Sequence, residues 1–281
     1  MTSHYTKDSP VEKEMSFLDH LEELRWHLIR SIVSILVFAI AAFLSKDIIW
    51  DTIILGPSKP DFWTYQAMCA FGQKIGSTGL CIDELPFIIQ SRKMTGQFTM
   101  HILSSVVIGL LCAFPYAFWE MWRFIRPGLY ETEQKLSRGA TFFVSLLFTI
   151  GVLFGYFIVT PLAVNFLANY QVAETILNEF DIISYVTTVA TLVVACGLMF
   201  QLPIVVFFLT KAGLVTPELM KAYRRHAIVV ILIVGAIITP PDPISQVLMA
   251  FPLIFLYQIS IFISRMVLKR EAKAEALAKQ E

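Results

Sequence analysis

The chain has 281 residues, of which 56% are hydrophobic and only 16% charged. Soluble domains carry about 25% charged and about 45–50% apolar residues, so the excess apolar mass must face something other than water. The formal net charge of zero leaves no global field to attract nucleic acid or an acidic substrate.

Residues 1–14 are polar, and the first 25 are too polar for a cleavable signal peptide, so the first span is expected to act as a retained anchor. From Ser16 the run SFLDHLEELRWHL places Phe17, Leu21, Leu24 and Leu28 on one side of a helix, with Asp19, Glu22, Glu23 and Arg25 elsewhere around it. That pattern predicts an amphipathic helix at the membrane surface, running without a breaker into a first span over 26–44. A long polar stretch, 46–99, carries Gly56-Pro57 and Lys59-Pro60, and a second span covers 100–122 with Pro115 inside it. After a charged loop with Arg123, Arg126, Glu131, Glu133, Lys135 and Arg138, a third span covers 139–167 and contains Pro161. A loop with Glu174, Glu179 and Asp181 leads to a fourth span, 182–209, interrupted by Pro203. A basic loop, 211–225, precedes a short apolar run at 227–239, the turn Pro240-Pro241-Asp242-Pro243, and a sixth segment at 244–263. The tail from Arg265 alternates Ala with Glu and Lys, as a solvated helix or a disordered end would.

The expected fold is therefore all-α: a polytopic membrane protein with six transmembrane helices, the last two short. Lysine and arginine bias short loops toward the cytoplasm. They are plentiful in the N-terminal segment, the two loops at 123–138 and 211–225, and the tail, and missing from 168–183 and 239–243. Both termini are expected to be cytoplasmic. The whole of 1–281 reads as one membrane domain, with 1–25 a cytoplasmic N-terminus, 46–99 a periplasmic loop, 123–138 and 211–225 cytoplasmic loops, and 264–281 a cytoplasmic tail. Thirteen apolar residues at 227–239 reach about 20 Å, two-thirds of a hydrocarbon core. Either the bilayer thins there, the helix hides behind its neighbours, or flanking residues extend it.

The chain lacks HExxH, GxSxG and a Gly-rich phosphate loop, so no enzymatic activity and no cofactor is expected. His20, Glu23 and His27 share a helix face, but a wet interface with Arg25 nearby favours a plain polar face over a metal site. Glu22, Glu23, Glu131 and Glu133 are carboxylates of the kind that bind guanidinium groups by bidentate, charge-assisted hydrogen bonds. By residues alone, ordinary pairing such as Glu22 with Arg25 is favoured. Within the spans, Thr187, Thr191 and Gln201 fall within about 80° on an ideal helix. A buried Gln in hydrocarbon is either a functional residue or helix–helix glue. Pro115, Pro161, Pro203 and Pro252 invite bends and suggest a curved scaffold. Cys112 and Cys196 suit small apolar packing. Cys69 and Cys81 lie in the outer loop, where an oxidising periplasm permits a disulfide contributing about 3 kcal/mol.

Three stretches together resemble the TatC family, the multispanning core of the twin-arginine translocase. They are SFLDHLEELRWHLIRSI (16–32), FPYAFWEMWRFIRPGLYETEQK (114–135) and ITPPDPISQVLMAFPL (238–253). The resemblance implies recognition, at the cytoplasmic face of a bacterial inner membrane, of export signals bearing two consecutive arginines. It further implies movement of folded proteins by the proton-motive force, with single-span TatA- or TatB-type partners, self-association, surrounding membrane lipids, no nucleic acid and no ATP site. By position, Glu23 and Glu133 match the acids that face the two guanidiniums, and Arg25, Phe124, Pro127 and Leu129 match the surrounding recognition surface. Gln201 matches an intramembrane polar position, and Asp242 an acid of the outer turn. The outer loop around 61–92, with Cys69 and Cys81, is longer than the family pattern. The alternative of a small-solute or ion secondary transporter rests on Gln201, the threonines and the prolines, and lacks internal repeats.

Overall fold

The computed structural model describes residues 17–76, 81–82, 84–125, 139–173, 175–238 and 243–278. Helix α1 (Phe17–Leu44) joins the charged N-terminal turns to the first span without interruption. Its polarity is inverted relative to a soluble helix. The buried face holds His27, Ser31, Ala39 and Ala42, while Trp26, Val33, Leu36, Val37 and Ile40 are exposed. A helix wrapped in lipid has no reason to hide leucine, and buries small and polar groups against its neighbours instead.

After α1 the chain passes through a short helical stretch and a wide-turn segment, Ile49–Ile54, to α2 (Trp63–Lys74) and strand β1 (Ile88–Gln90). The spans continue as α3 (Gly96–Ile125) and α4 (Ala140–Phe154), the latter prolonged through a π-helical segment, Gly155–Val159, into α5 (Thr160–Asn169). Strand β2 (Glu179–Asp181) pairs in parallel with β1, Ile89 opposite Phe180. The fourth apolar segment divides into α6 (Ile182–Met199) and α7 (Leu202–Lys211). Short α8 (Pro217–Ala222), α9 (Arg224–Ile238) and α10 (Pro243–Ala278) complete the described chain.

Two of the four prolines shape their spans. The missing N–H of Pro161 follows directly on the π segment, whose wider turn absorbs the lost hydrogen bond. Pro203 stands in the first turn of α7, just after the helix breaks at Phe200–Gln201. Pro115 and Pro252 lie inside helices that run through them.

Five described segments have the length and apolarity of a membrane span: Glu22–Leu44, Gly96–Ile125, Thr141–Asn169, Ile182–Lys211 and Met249–Lys269. The last two helices are expected to be short as spans, and the apolar stretch of α10, Met249–Lys269, has 21 residues, the fewest of these five. Helix α9 is short, with 15 residues, but α10 has 36. The Ala, Glu and Lys of the tail are strong helix formers, so the helix continues beyond its apolar part. Helix α9 is not hidden either, for Val229, Val230, Ile233 and Ile237 are all exposed.

Helices α1 and α3 lie side by side, and α4 meets both α3 and α6. Phe114 of α3 stacks on Phe148 of α4 with ring centroids 3.6 Å apart. One buried cluster, including Val159, Leu192, Phe200, Met249 and Leu253, joins the third and fourth spans to α10. A second, including Ala42, Ile54, Met100, Val164, Val186 and Val189, closes the end of the bundle under the loop after α1. Tyrosines pin that loop down. The Tyr65 hydroxyl lies 2.9 Å from the Pro57 carbonyl oxygen and 2.8 Å from that of Pro161. Tyr156 donates to Ile53 O at 2.8 Å and Tyr185 to Ile54 O at 2.9 Å. Burial, and secondarily neighbouring Tyr185, pushes the Tyr65 phenol up from its ordinary value, so it stays a protonated donor. Cys69 and Cys81 are bonded as a disulfide that ties α2 to the chain leading into β1.

Candidate functional site

The residues singled out in sequence fall in three places. At the start of the first span, Glu23 and Arg25 project from α1, Arg25 exposed and the Glu23 side chain 41% exposed. Among the described residues neither Glu22 nor Arg25 has an ion-pair partner, so the Glu22–Arg25 pairing that the residues alone suggest does not form. Phe124, one residue from the end of α3, has its ring centroid 6.3 Å from that of His27. The ends of α1 and α3 thus bring Glu23 and Phe124 near one imidazole. Pro127, Leu129, Glu133 and Asp242 lie outside the described residues.

That imidazole is not on a wet polar face, as its sequence position suggested. His27 is 6% exposed and its Nδ1 lies 2.5 Å from Glu120 Oε2. Glu120, on α3, is 1% exposed. Its Oε1 accepts from the Tyr116 hydroxyl at 3.0 Å, and Arg30 Nη1 stands 3.9 Å from Oε2. On its other side, His27 Nε2 is 4.0 Å from Glu23 Oε1. Among the described residues no three His, Cys, Asp or Glu side chains gather as a metal site, and His27 is engaged with Glu120. The signal that sequence reading passed over is Glu120 itself, an acid near the end of a long apolar segment, where a charge must find a partner.

Gln201 stands apart from this cluster, at the break between α6 and α7. Its Nε2 donates to Val144 O of α4 at 3.1 Å, tying the fourth span to the third. Its Oε1 is buried without a partner among the described residues. Thr187 does not join it, because its hydroxyl donates to Ile183 O at 2.6 Å within its own helix. The disulfide Cys69–Cys81 belongs to the loop between α1 and α3, not to either polar site.

A family model described as Sec-independent protein translocase protein (TatC) matches residues 19–252. The chain belongs to the TatC family. A TatC from Blattabacterium sp. subsp. Periplaneta americana is 37% identical over 262 residues, covering 92% of this chain and 98% of that protein. The TatC of Aquifex aeolicus is 33% identical, covering 93% and 99%. A crystal structure of the twin-arginine translocase receptor TatC in DDM superposes with a TM-score of 0.66 at 34% identity, covering 87% of this chain and 99% of that one. A second such crystal structure gives 0.63 at 33% identity. This TatC-family chain is therefore a multi-pass membrane component of a protein translocase, and the solute-carrier alternative is not favoured. The family match includes all of Glu23, Arg25, Phe124, Pro127, Leu129, Glu133, Gln201 and Asp242.

Proposed function

We propose that this chain is the signal-peptide receptor and membrane scaffold of a twin-arginine translocase in a bacterial cytoplasmic membrane. In this reading six helices span the bilayer with both termini cytoplasmic, α9 being the sixth span beside the five long ones. At 15 residues α9 reaches about 22 Å against a core of about 30 Å. Because its large apolar side chains are exposed, local thinning of the bilayer accounts for the mismatch better than concealment does. The loops at 123–138 and 211–225 are cytoplasmic, and the disulfide-bearing loop at 46–99 is periplasmic. Single-span TatA- or TatB-type subunits, and further copies of the chain, meet the exposed apolar faces of the spans.

The observation that carries the reading is Glu23, a half-exposed carboxylate at the cytoplasmic end of α1, standing near the end of α3. From that end the chain leads directly into the segment holding Pro127, Leu129 and Glu133. Glu23 and Glu133 supply two acids for two guanidiniums, each able to take a bidentate pair, with Arg25 and Phe124 bounding the surface. The test is binding of a twin-arginine signal peptide and of its twin-lysine counterpart to the full chain in nanodiscs. Lysine keeps the charge and loses the fork, so twin-arginine is expected to bind at least about tenfold tighter. Equal binding of the two peptides removes the reading.

Transport then draws on the proton-motive force, with Gln201 acting after recognition. A buried amide oxygen without a partner is held at a cost of about 1–3 kcal/mol. That cost is recovered when an inserting segment or partner helix supplies a donor. Gln201→Leu is expected to leave signal-peptide affinity within about twofold while cutting cargo transport by about tenfold or more. Transport at the unmutated rate, measured in inverted vesicles, removes Gln201 from the mechanism.

A further inference from the structure

The buried cluster between α1 and α3 uses residues that no recognition surface assigns. We propose that His27 and Glu120 are the positioning residues of the signal-peptide site: Glu120 holds His27, and the pair fixes where Glu23 stands relative to the end of α3. This inference rests on the receptor reading above and deepens it.

The pair is not needed to hold the two helices together. Helices α1 and α3 already meet through close apolar packing, for a Cβ on Gly109 would come within 2.6 Å of the Ala39 backbone nitrogen. Replacing buried polar or ionic partners by packed apolar groups is often neutral or stabilising, so stability alone does not call for a carboxylate here. Apolar packing, however, leaves rotation of one helix against the other weakly specified. A directional bond between buried polar groups selects one azimuth and one register.

Glu120 is built for that task. Both oxygens are engaged, Oε1 by the Tyr116 hydroxyl at 3.0 Å and Oε2 by His27 Nδ1 at 2.5 Å, with Arg30 at 3.9 Å. Tyr116 lies one turn before Glu120 on α3, so the carboxylate is oriented by its own helix before it reaches across. A carboxylate accepts, so Nδ1 of His27 carries the shared hydrogen. The ring so fixed presents Nε2 to Glu23 at 4.0 Å, one helical turn away and toward the surface. The same ring lies beside Phe124. One imidazole therefore lies near a member of the proposed recognition surface on each helix, and Glu120 sets its plane.

Bidentate recognition of guanidinium demands a carboxylate in one position and plane, whereas an ammonium is a point charge tolerant of displacement. Loosening the pair should therefore weaken twin-arginine binding more than twin-lysine binding, a signature that general destabilisation does not produce. The experiment measures both peptides against the full chain in nanodiscs for Glu120→Gln, His27→Leu and His27→Arg. Glu120→Gln and His27→Leu are expected to lose about tenfold in twin-arginine affinity and less than about threefold for twin-lysine. His27→Arg keeps a donor to Glu120 and is expected to recover most of the preference. An unchanged preference in Glu120→Gln and His27→Leu overturns the inference while leaving the receptor reading intact, as does an equal loss for both peptides. Loss in His27→Arg as deep as in His27→Leu overturns it too. If Glu120→Gln does not fold, the two His27 variants decide. Absence of any preference in the unmutated chain fails the receptor reading itself.

Discussion

Glu23→Ala is expected to lower affinity for a twin-arginine signal peptide by roughly thirtyfold, about 2 kcal/mol. The figure sits at the low end for a charged partner because the Glu23 side chain is 41% exposed, and solvent screens part of its attraction. The alanine removes one member of the proposed acidic pair, so combining it with Glu133→Ala should abolish measurable binding. Salt separates this electrostatic term from the apolar one: raising ionic strength from about 0.05 to 0.5 M should weaken the unmutated chain more than the Glu23→Ala variant. Fluorescence anisotropy with a labelled peptide measures each of these. Affinity unaltered by Glu23→Ala would place the guanidiniums elsewhere on the protein.

The second large effect is structural. Gly109 of α3 lies so close to α1 that an added Cβ would stand 2.6 Å from Ala39 N, 2.8 Å from Ala39 Cα and 2.8 Å from Ala39 Cβ. Two of those atoms are backbone, so no rotamer change relieves the clash, and α1 must move away as a body. Close approach of backbones through small residues is a main source of helix association in lipid. Gly109→Val is expected to cost about 3 kcal/mol or more, seen as lost folded yield and a lowered melting temperature in detergent. Gly109→Ala should fall between the two. Since α1 and α3 carry the two halves of the proposed receptor surface, whatever Gly109→Val protein survives should also bind signal peptide poorly. A variant that melts as the unmutated chain does would contradict the helix contact itself.

Much of this architecture is legible along the chain. The first span and its charged approach emerge as the single helix α1, because nothing between Phe17 and Leu44 breaks a helix. Pro161 and Pro203 mark irregularities that the structure realises as a π segment and a helix break. Cys69 and Cys81 were candidates by compartment and spacing, and their sulfurs are joined. The tail after Arg265 is open in sequence between a solvated helix and a disordered end, since apolar run length reports how much helix lies in lipid and not where the helix stops. Helix propensity carries α10 through the tail to Ala278.

The site was legible only where a motif carried it. Glu23 and Phe124 came from resemblance, and the structure places them around the same imidazole. His27 reads as surface and Glu120 is passed over, although the buried imidazole and the buried carboxylate lie against each other. Composition, hydropathy and the placement of Lys and Arg are sums over neighbours in sequence, and they determined by themselves that this protein crosses a membrane repeatedly and which loops are basic. The pairing of His27 with Glu120 spans 93 residues and depends on how α1 and α3 are rotated about their axes. Only the tertiary structure decided it, because in lipid the identity of a residue does not say which face of its helix is covered.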